Sequence, residues 1–191
     1  METTQSRASI DSKPGPQIFD ITEISWIDFK TEVMHIQNTC YEPGRRDSEQ
    51  FFRGIIANPR SICLAALIDK HLAGYAFAGP LELFRNVHGV LEDENFGHGN
   101  TLYGADVTVS EKYRGRGIGQ ALKHAQIERA KSLGFHYVTG RNRVGMAQAM
   151  WRLNQQLGAV EVARIKNDYP DGPEPRDAIY YRIPLPGCDG N

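Results

Sequence analysis

Residues 106–119, DVTVSEKYRGRGIG, constrain this chain more than any other segment. Val107, Thr108 and Val109 form a β-branched run that reads as a buried strand, and R-x-x-G-x-G follows at Arg114, Gly117 and Gly119. Further on, residues 125–134, AQIERAKSLG, carry apolar side chains at helical spacing, so the segment reads as strand, tight turn, helix. A turn of that kind suits an anion. Glycines let the backbone approach closely, and the first turn of a helix offers unpaired N–H groups at the positive end of its dipole. Arg114 and Arg116 add formal positive charge at the same place.

Two familiar phosphate loops are excluded. No Lys-Ser or Lys-Thr follows the glycines, so nothing could reach a γ-phosphate or hold magnesium as a Walker loop does. Gly115, Gly117 and Gly119 alternate instead of forming G-x-G-x-x-G, and no parallel strand-helix-strand unit precedes them. The spacing resembles the coenzyme A loop of the GNAT-type N-acetyltransferases, where an Arg or Gln stands three residues before Gly-x-Gly or Gly-x-Ala after the central strand. VSEKYRGRGIG matches that run, aromatic residue included, apart from Glu111 where proline is common. FHYVTGRN, GMAQAMWRLNQQLGA, VEVARIKNDY and AIYYRIPL resemble the strand, helix and two strands that follow in the family, and Gly74-Tyr75-Ala76 its G-x-A in the third strand. The resemblance implies one α/β domain over residues 17–186. Its central sheet would be mixed, mostly antiparallel, with about six to seven strands flanked by about four helices.

The resemblance also implies transfer of an acetyl group from acetyl-CoA to a primary amine by direct attack in a ternary complex. The backbone of Val107, Thr108 and Val109 would pair with the pantetheine arm. Arg114, Gly115, Arg116, Gly117, Ile118, Gly119 and Gln120 would wrap the pyrophosphate. Asn142, at the end of the next strand, stands where the family often hydrogen-bonds the coenzyme, though a turn or capping Asn fits equally. Many members carry a Tyr four residues before the Gly of L-G-F as the acid for the departing sulfur; Asn154 occupies that position here. An amide transfers no proton, but a thiol pKa near about 8.5 lets a thiolate leave without full protonation, and Asn154 could donate a hydrogen bond to sulfur or pantetheine.

The base is less legible. Asp106 lies inside the proposed central strand, where a carboxylate is costly unless paired or functional. Alternation places it with Gly104 and Thr108, opposite Val107 and Val109, unless a bulge re-aims it. General base, ammonium ligand and structural hydrogen-bonding group all remain open for it. Tyr103 and Glu42 are further acceptor-side candidates, Glu42 because it lies on the break between the first two helices, where family members line the acceptor pocket.

Composition narrows the partners. Lys plus Arg number 22 and Asp plus Glu 23, for a net charge of −1, which gives no general attraction to nucleic acid or anionic lipid. The basic residues between 111 and 131 read as a solvated helix face. Cys40, Cys63 and Cys188 lack any C-x-x-C, so neither a zinc site nor a disulfide framework is expected, and no metal is called for. No run of about 18 apolar residues is found, so a soluble cytoplasmic protein is expected. Residues 1–16 and 187–191 read as a disordered leader and tail. Family members often pair, which leaves a homodimer open.

Along the chain, 18–22 reads as a first strand and Ser25-x-x-Asp28 as a capping box opening a helix with Ile27, Val33, Met34 and Ile36 inward. Tyr41-Glu42-Pro43-Gly44 stops it, and Asp47 reads as the cap of a short helix with Phe51, Phe52, Ile55 and Ile56 on its apolar face. A hairpin is expected about Asp69-Lys70. The acidic connection 80–101 is either functional or disordered. The helix after the glycine loop should close at Leu133-Gly134, and a last helix over about 145–157 should bury Met146, Ala149, Met150 and Leu153. The acceptor reads first as a small-molecule amine. A protein or peptide amine, and a non-catalytic acyl-CoA-binding module, are the alternatives.

Overall fold

The computed structural model describes residues 15–187. The expected leader and tail therefore lie outside the described residues, apart from Gly15, Pro16 and Gly187. The chain runs β1 (Gln17–Asp20), α1 (Trp26–Cys40), α2 (Glu49–Ile56), β2 (Ile62–Ile68), β3 (His71–Pro80), β4 (Thr101–Val109), α3 (Ile118–Ser132), β5 (Tyr137–Arg143), α4 (Gln148–Gln156), β6 (Val160–Ile165) and β7 (Ala178–Pro184). Seven strands form one sheet in the order β1-β2-β3-β4-β5-β7-β6. Every neighbouring pair is antiparallel except β4–β5. The β2–β3 hairpin turns at Asp69 and Lys70, whose φ values of 50° and 66° give the left-handed two-residue turn that matches strand twist.

The parallel pair positions the site. β4 and β5 are in register only from Thr101 opposite Tyr137 to Gly104 opposite Gly140, and beyond these residues they separate. At the point of separation the backbones are crowded. A Cβ on Gly140 would lie 2.8 Å from the Tyr181 hydroxyl and 3.2 Å from the Gly104 carbonyl oxygen, so only glycine fits. On its other side β4 carries a bulge, because Phe77 pairs with Asp106 and Ala78 with Gly104, leaving Ala105 unpaired. The extra residue reverses the alternation. Asp106 joins Thr108 but not Gly104, which faces α3, and Asp106 shares the face of Tyr103.

Each face of the sheet carries its own core. Leu102, Ile118, Leu122, Phe135, Val138 and Ile183 pack beneath α3, and Trp26, Val33, Phe52, Tyr75, Phe77 and Phe84 beneath α1 and α2. The second core is aromatic, with the Phe52 and Phe77 rings 4.6 Å apart between centroids. Aromatic pairs at this separation add to the stability of simple burial. No described helix is long and apolar enough to cross a membrane.

Several local expectations are corrected. Ser25 forms no box with Asp28; it exchanges hydrogen bonds with Thr22, and Trp26, not the exposed Ile27, turns inward. The cap of α2 is Ser48, whose Oγ accepts from the Phe51 N–H at 3.2 Å, so the Asp47 side chain is released from that duty. The acidic connection 81–100 is ordered. Asp93 is buried and accepts hydrogen bonds from Tyr180 (2.8 Å), Arg182 (2.7 Å) and the Asn95 N–H (2.9 Å), which fasten the connection to β7. Asp93→Asn keeps the shape but loses the charge opposite Arg182. It should cost about 2 kcal/mol and lower the melting temperature by about 4–8 °C in a thermal melt.

Candidate active site

Where β4 and β5 part, a cleft of about 720 Å³ opens. One wall is the free end of β4, Val107 to Val109, and the other is α4 with Met150 and Leu153; the loop entering α3 closes one end, and Cys40 and Tyr41 from the end of α1 also line the cleft. Of the residues expected to touch coenzyme, Val107, Thr108, Val109, Arg114, Gly115, Gly117, Ile118, Gly119 and Gln120 line this cleft. Arg116 does not. It is exposed, with its guanidinium over the Tyr113 ring at 5.4 Å.

The loop is shaped to receive an anion. Gly117 caps α3 in the left-handed conformation (φ 74°), and no side chain caps the helix. Among the described residues, none of the N–H groups of residues 115–120 donates to a protein acceptor. A Cβ on Gly115 or Gly117 would meet nothing within 4 Å, so the space above these amides is open. Arg114 is exposed and is held at 3.4 Å both by Glu111 and by the Val109 carbonyl. A row of unpaired amides, an exposed cation and an apolar wedge behind them fit a pyrophosphate carrying a long thiol arm.

Three expectations about the far wall change. Met146 is 56% exposed and Ala149 is also exposed, and with Met150 and Leu153 they face the cleft instead of a core. Asn154 is fully buried behind that wall and does not line the cleft. Its Nδ2 donates to Asn142 Oδ1 at 2.8 Å, and Asn142 Nδ2 donates to the Ala147 carbonyl at 3.3 Å. The two amides thus brace α4 against β5.

Beneath the divergence of the strands lies Lys123, buried, with Gln126 Oε1 at 3.1 Å, the Tyr181 hydroxyl at 3.4 Å and no carboxylate. Burial alone lowers its pKa to about 8. The cost of keeping it charged is fully present at pH 7 and fades as pH rises from about 8 to the usual 10.5. Lys123→Met should therefore stabilise the protein by about 2 kcal/mol at pH 7, once the lost hydrogen bonds are subtracted from about 1.4 kcal/mol per pKa unit. The gain should shrink above pH 8 and be gone before pH 10.5 in paired melts.

On the α1–α2 face, Asp106 is enclosed by donors. Gln37 Nε2 (2.7 Å) and the Tyr75 hydroxyl (3.1 Å) lie on Oδ2, and the Tyr41 (2.8 Å) and Thr108 (2.6 Å) hydroxyls on Oδ1. Four donors occupy the four lone-pair positions of a carboxylate, which leaves none for a substrate proton. Burial raises its pKa although all four hydrogen bonds pull the other way. In this arrangement Asp106 ties α1 to β3 and β4.

Asp47 sits beside it. Its N–H donates to Gln37 Oε1 at 3.1 Å, and its carboxylate has no hydrogen-bond or ion-pair partner among the described residues. Burial and the charge of Asp106 push its pKa up to about 7, against the pull of Arg141 and Arg45. Arg141 reaches both oxygens of Asp168 through Nη1 (2.8 and 2.6 Å) and donates from Nε to the Tyr103 hydroxyl at 3.2 Å. Tyr103 is buried against Phe84 and holds Arg141. Glu42 is exposed and pairs with Arg45 at 3.4 Å, on the rim of a hollow of about 150 Å³ between residues 42–45 and 168–172. The Arg45 guanidinium lies 4.9 Å over the Tyr169 ring, linking the two sides of that rim.

Gln37, Tyr41, Asp47, Arg141 and Asp168 were not singled out from the sequence as site residues. Tyr41 read as a helix stop and Asp47 as a cap. No local signal distinguishes them, because each acquires its role from partners more than 20 residues away or from the release of a neighbour.

A family model described as Acetyltransferase (GNAT) family matches residues 30–158. Among solved structures, a ribosomal-protein-alanine N-acetyltransferase from Brucella melitensis is 22% identical, with 88% of this chain and 99% of that chain covered and a TM-score of 0.65. A chain of the NatC complex bound to Gag peptide and CoA is 16% identical, with 90% and 99% covered and a TM-score of 0.70. Nourseothricin acetyltransferase is 22% identical, with 67% of each chain covered and a TM-score of 0.51. No curated protein matches the chain.

Proposed function

The chain belongs to the GNAT family of acetyltransferases, with acetyl-CoA as donor, and on that premise we propose that it acetylates the primary amine of a small molecule by direct attack in a ternary complex. The observation that carries the transfer is the cleft itself. Open amides at one end suit the pyrophosphate, and the wedge between β4 and α4 suits the pantetheine arm. Holding amine and thioester in line contributes roughly 7–11 kcal/mol toward the barrier. A backbone N–H on the free edge of β4 polarises the thioester oxygen as charge develops. The thiolate is a tolerable leaving group, so no dedicated acid is needed where Asn154 replaces Tyr.

The size of the acceptor is argued from the rim. Arg45 stacked on Tyr169 and Arg141 paired with Asp168 narrow the approach to the α1–α2 face, and the hollow beside them is small, about 150 Å³. The names of the matched structures cover both classes, nourseothricin and protein or peptide acceptors, so they do not decide between them. Thiol release from acetyl-CoA measured with a panel of small amines and a panel of hexapeptides tests the proposal. The expected result is kcat/KM at least about a hundredfold higher for the best small amine, a difference of about 2.7 kcal/mol. A preference for peptides would overturn the small-molecule acceptor, and no release with any amine would overturn transfer.

A further inference from the structure

We propose that the Asp47 carboxylate is the group that takes the proton from the acceptor amine, a step that rests on the acetyl-transfer reading above. Alkyl amines near pH 7 are ammonium ions, with a pKa near about 10.4, and an ammonium has no lone pair for attack. Attack therefore requires that a proton leave the amine first. Asp106 is saturated by four donors, and Asp168 is enclosed by Arg141 and His88. Glu42 is exposed and paired with Arg45. Asp47 is the partly buried carboxylate in this region with no partner among the described residues.

Asp47 does not itself line the cleft and is tied to it by a run of hydrogen bonds. The Asp47 N–H is bonded to Gln37 Oε1, Gln37 Nε2 to Asp106 Oδ2, and Asp106 Oδ1 to the hydroxyls of Tyr41 and Thr108, which both line the cleft. The charged groups around it come from three elements: Asp106 on β4, Arg141 on β5 and Arg45 in the turn before α2. Asp168 offsets Arg141 and Glu42 offsets Arg45, so the uncompensated charge beside Asp47 is that of Asp106. A base set near neutrality by that arrangement is ionised enough to act and basic enough to accept a proton. Asp47 can stay free because Ser48 caps α2 in its place.

The step balances. An N–H bond of the ammonium breaks, an O–H bond forms on Asp47, and the freed lone pair forms the N–C bond at the thioester carbonyl. The C–S bond then breaks with its electron pair on sulfur. The surplus proton on nitrogen goes to that thiolate, which yields the N-acetyl product and coenzyme A thiol. Asp47 returns its proton to solvent.

The test compares full-length wild type, Asp47→Asn and Asp47→Glu, using thiol release from pH 5.5 to 9.5 with the best amine of the panel, calorimetric acetyl-CoA binding, and melts. The expected Asp47→Asn protein binds acetyl-CoA within about twofold of wild type, loses about 10²–10⁴ in kcat/KM, and lacks the break near pH 7 shown by wild type. Asp47→Glu should recover part of the loss. Because folding raises the Asp47 pKa, ionising it costs stability above pH 7, and the cost fades as pH falls toward 3.8. Asp47→Asn should therefore melt higher than wild type at pH 8, with the difference closing near pH 4. Retained kcat/KM, a retained break near pH 7, or loss of stability and coenzyme binding together with activity would overturn the proposal. A wild type that releases no thiol with any amine would instead overturn the transfer reading beneath it.

Discussion

Gly119→Val is expected to weaken acetyl-CoA binding about a thousandfold while the protein stays folded. Gly119 lies in the first turn of α3, at the mouth of the cleft, between Val109 on one wall and Met150 on the other. A Cβ there would sit 3.6 Å from Val109 Cγ2 and 3.8 Å from Met150 Cε, which are ordinary contacts. Helix propensity changes little, since Val and Gly are both poor formers. The two methyls would fill the space in front of the amides of residues 117–120. Loss of two charge-assisted hydrogen bonds at about 1.5–3 kcal/mol each corresponds to roughly 10²–10⁴ in affinity. Calorimetry checks it, with Glu128→Ala on the exposed face of the same helix as the control. A folded Gly119→Val protein with unchanged affinity would remove the loop from the coenzyme site.

Asp106→Ala should be the most damaging single change to stability. It deletes the acceptor of Gln37, Tyr75, Tyr41 and Thr108 at once, in a region with little access to water. Orphaned buried donors cost about 1–3 kcal/mol each, and partial relaxation brings the expected total to about 3–5 kcal/mol. For a chain of this length that lowers the melting temperature by about 6–20 °C. Asp106→Asn should fall less, because one oxygen still accepts. Abolished activity at wild-type stability would return Asp106 to the role of base and contradict its structural assignment.

Much of the fold was legible because its signals are local. The strand-turn-helix of residues 106–119, the Asp69-Lys70 hairpin, the stop after Cys40 and the closure of α3 at Leu133-Gly134 all follow from backbone preferences of the residues involved. The misreadings share one cause. Periodicity marks a helix face as apolar without saying what covers it, so Met146, Ala149, Met150 and Leu153 read as core although they border an open cleft. Likewise an acidic connection reads as exposed, and only the meeting of Asp93 with Tyr180 and Arg182, almost 90 residues later, makes it part of the core.

The amino-acid sequence by itself determined the family, the donor and the glycine loop, since an anion cradle is built from consecutive residues whose backbone freedom is intrinsic. Only the tertiary structure decided which carboxylate is free. One unpaired residue, Ala105, turned Asp106 away from the face of Gly104, Ser48 took the cap expected of Asp47, and Gln37 joined the two aspartates on one face of the sheet. The proton affinity of a side chain depends on burial and on charges brought near by folding, and neither is encoded in its own neighbourhood along the chain.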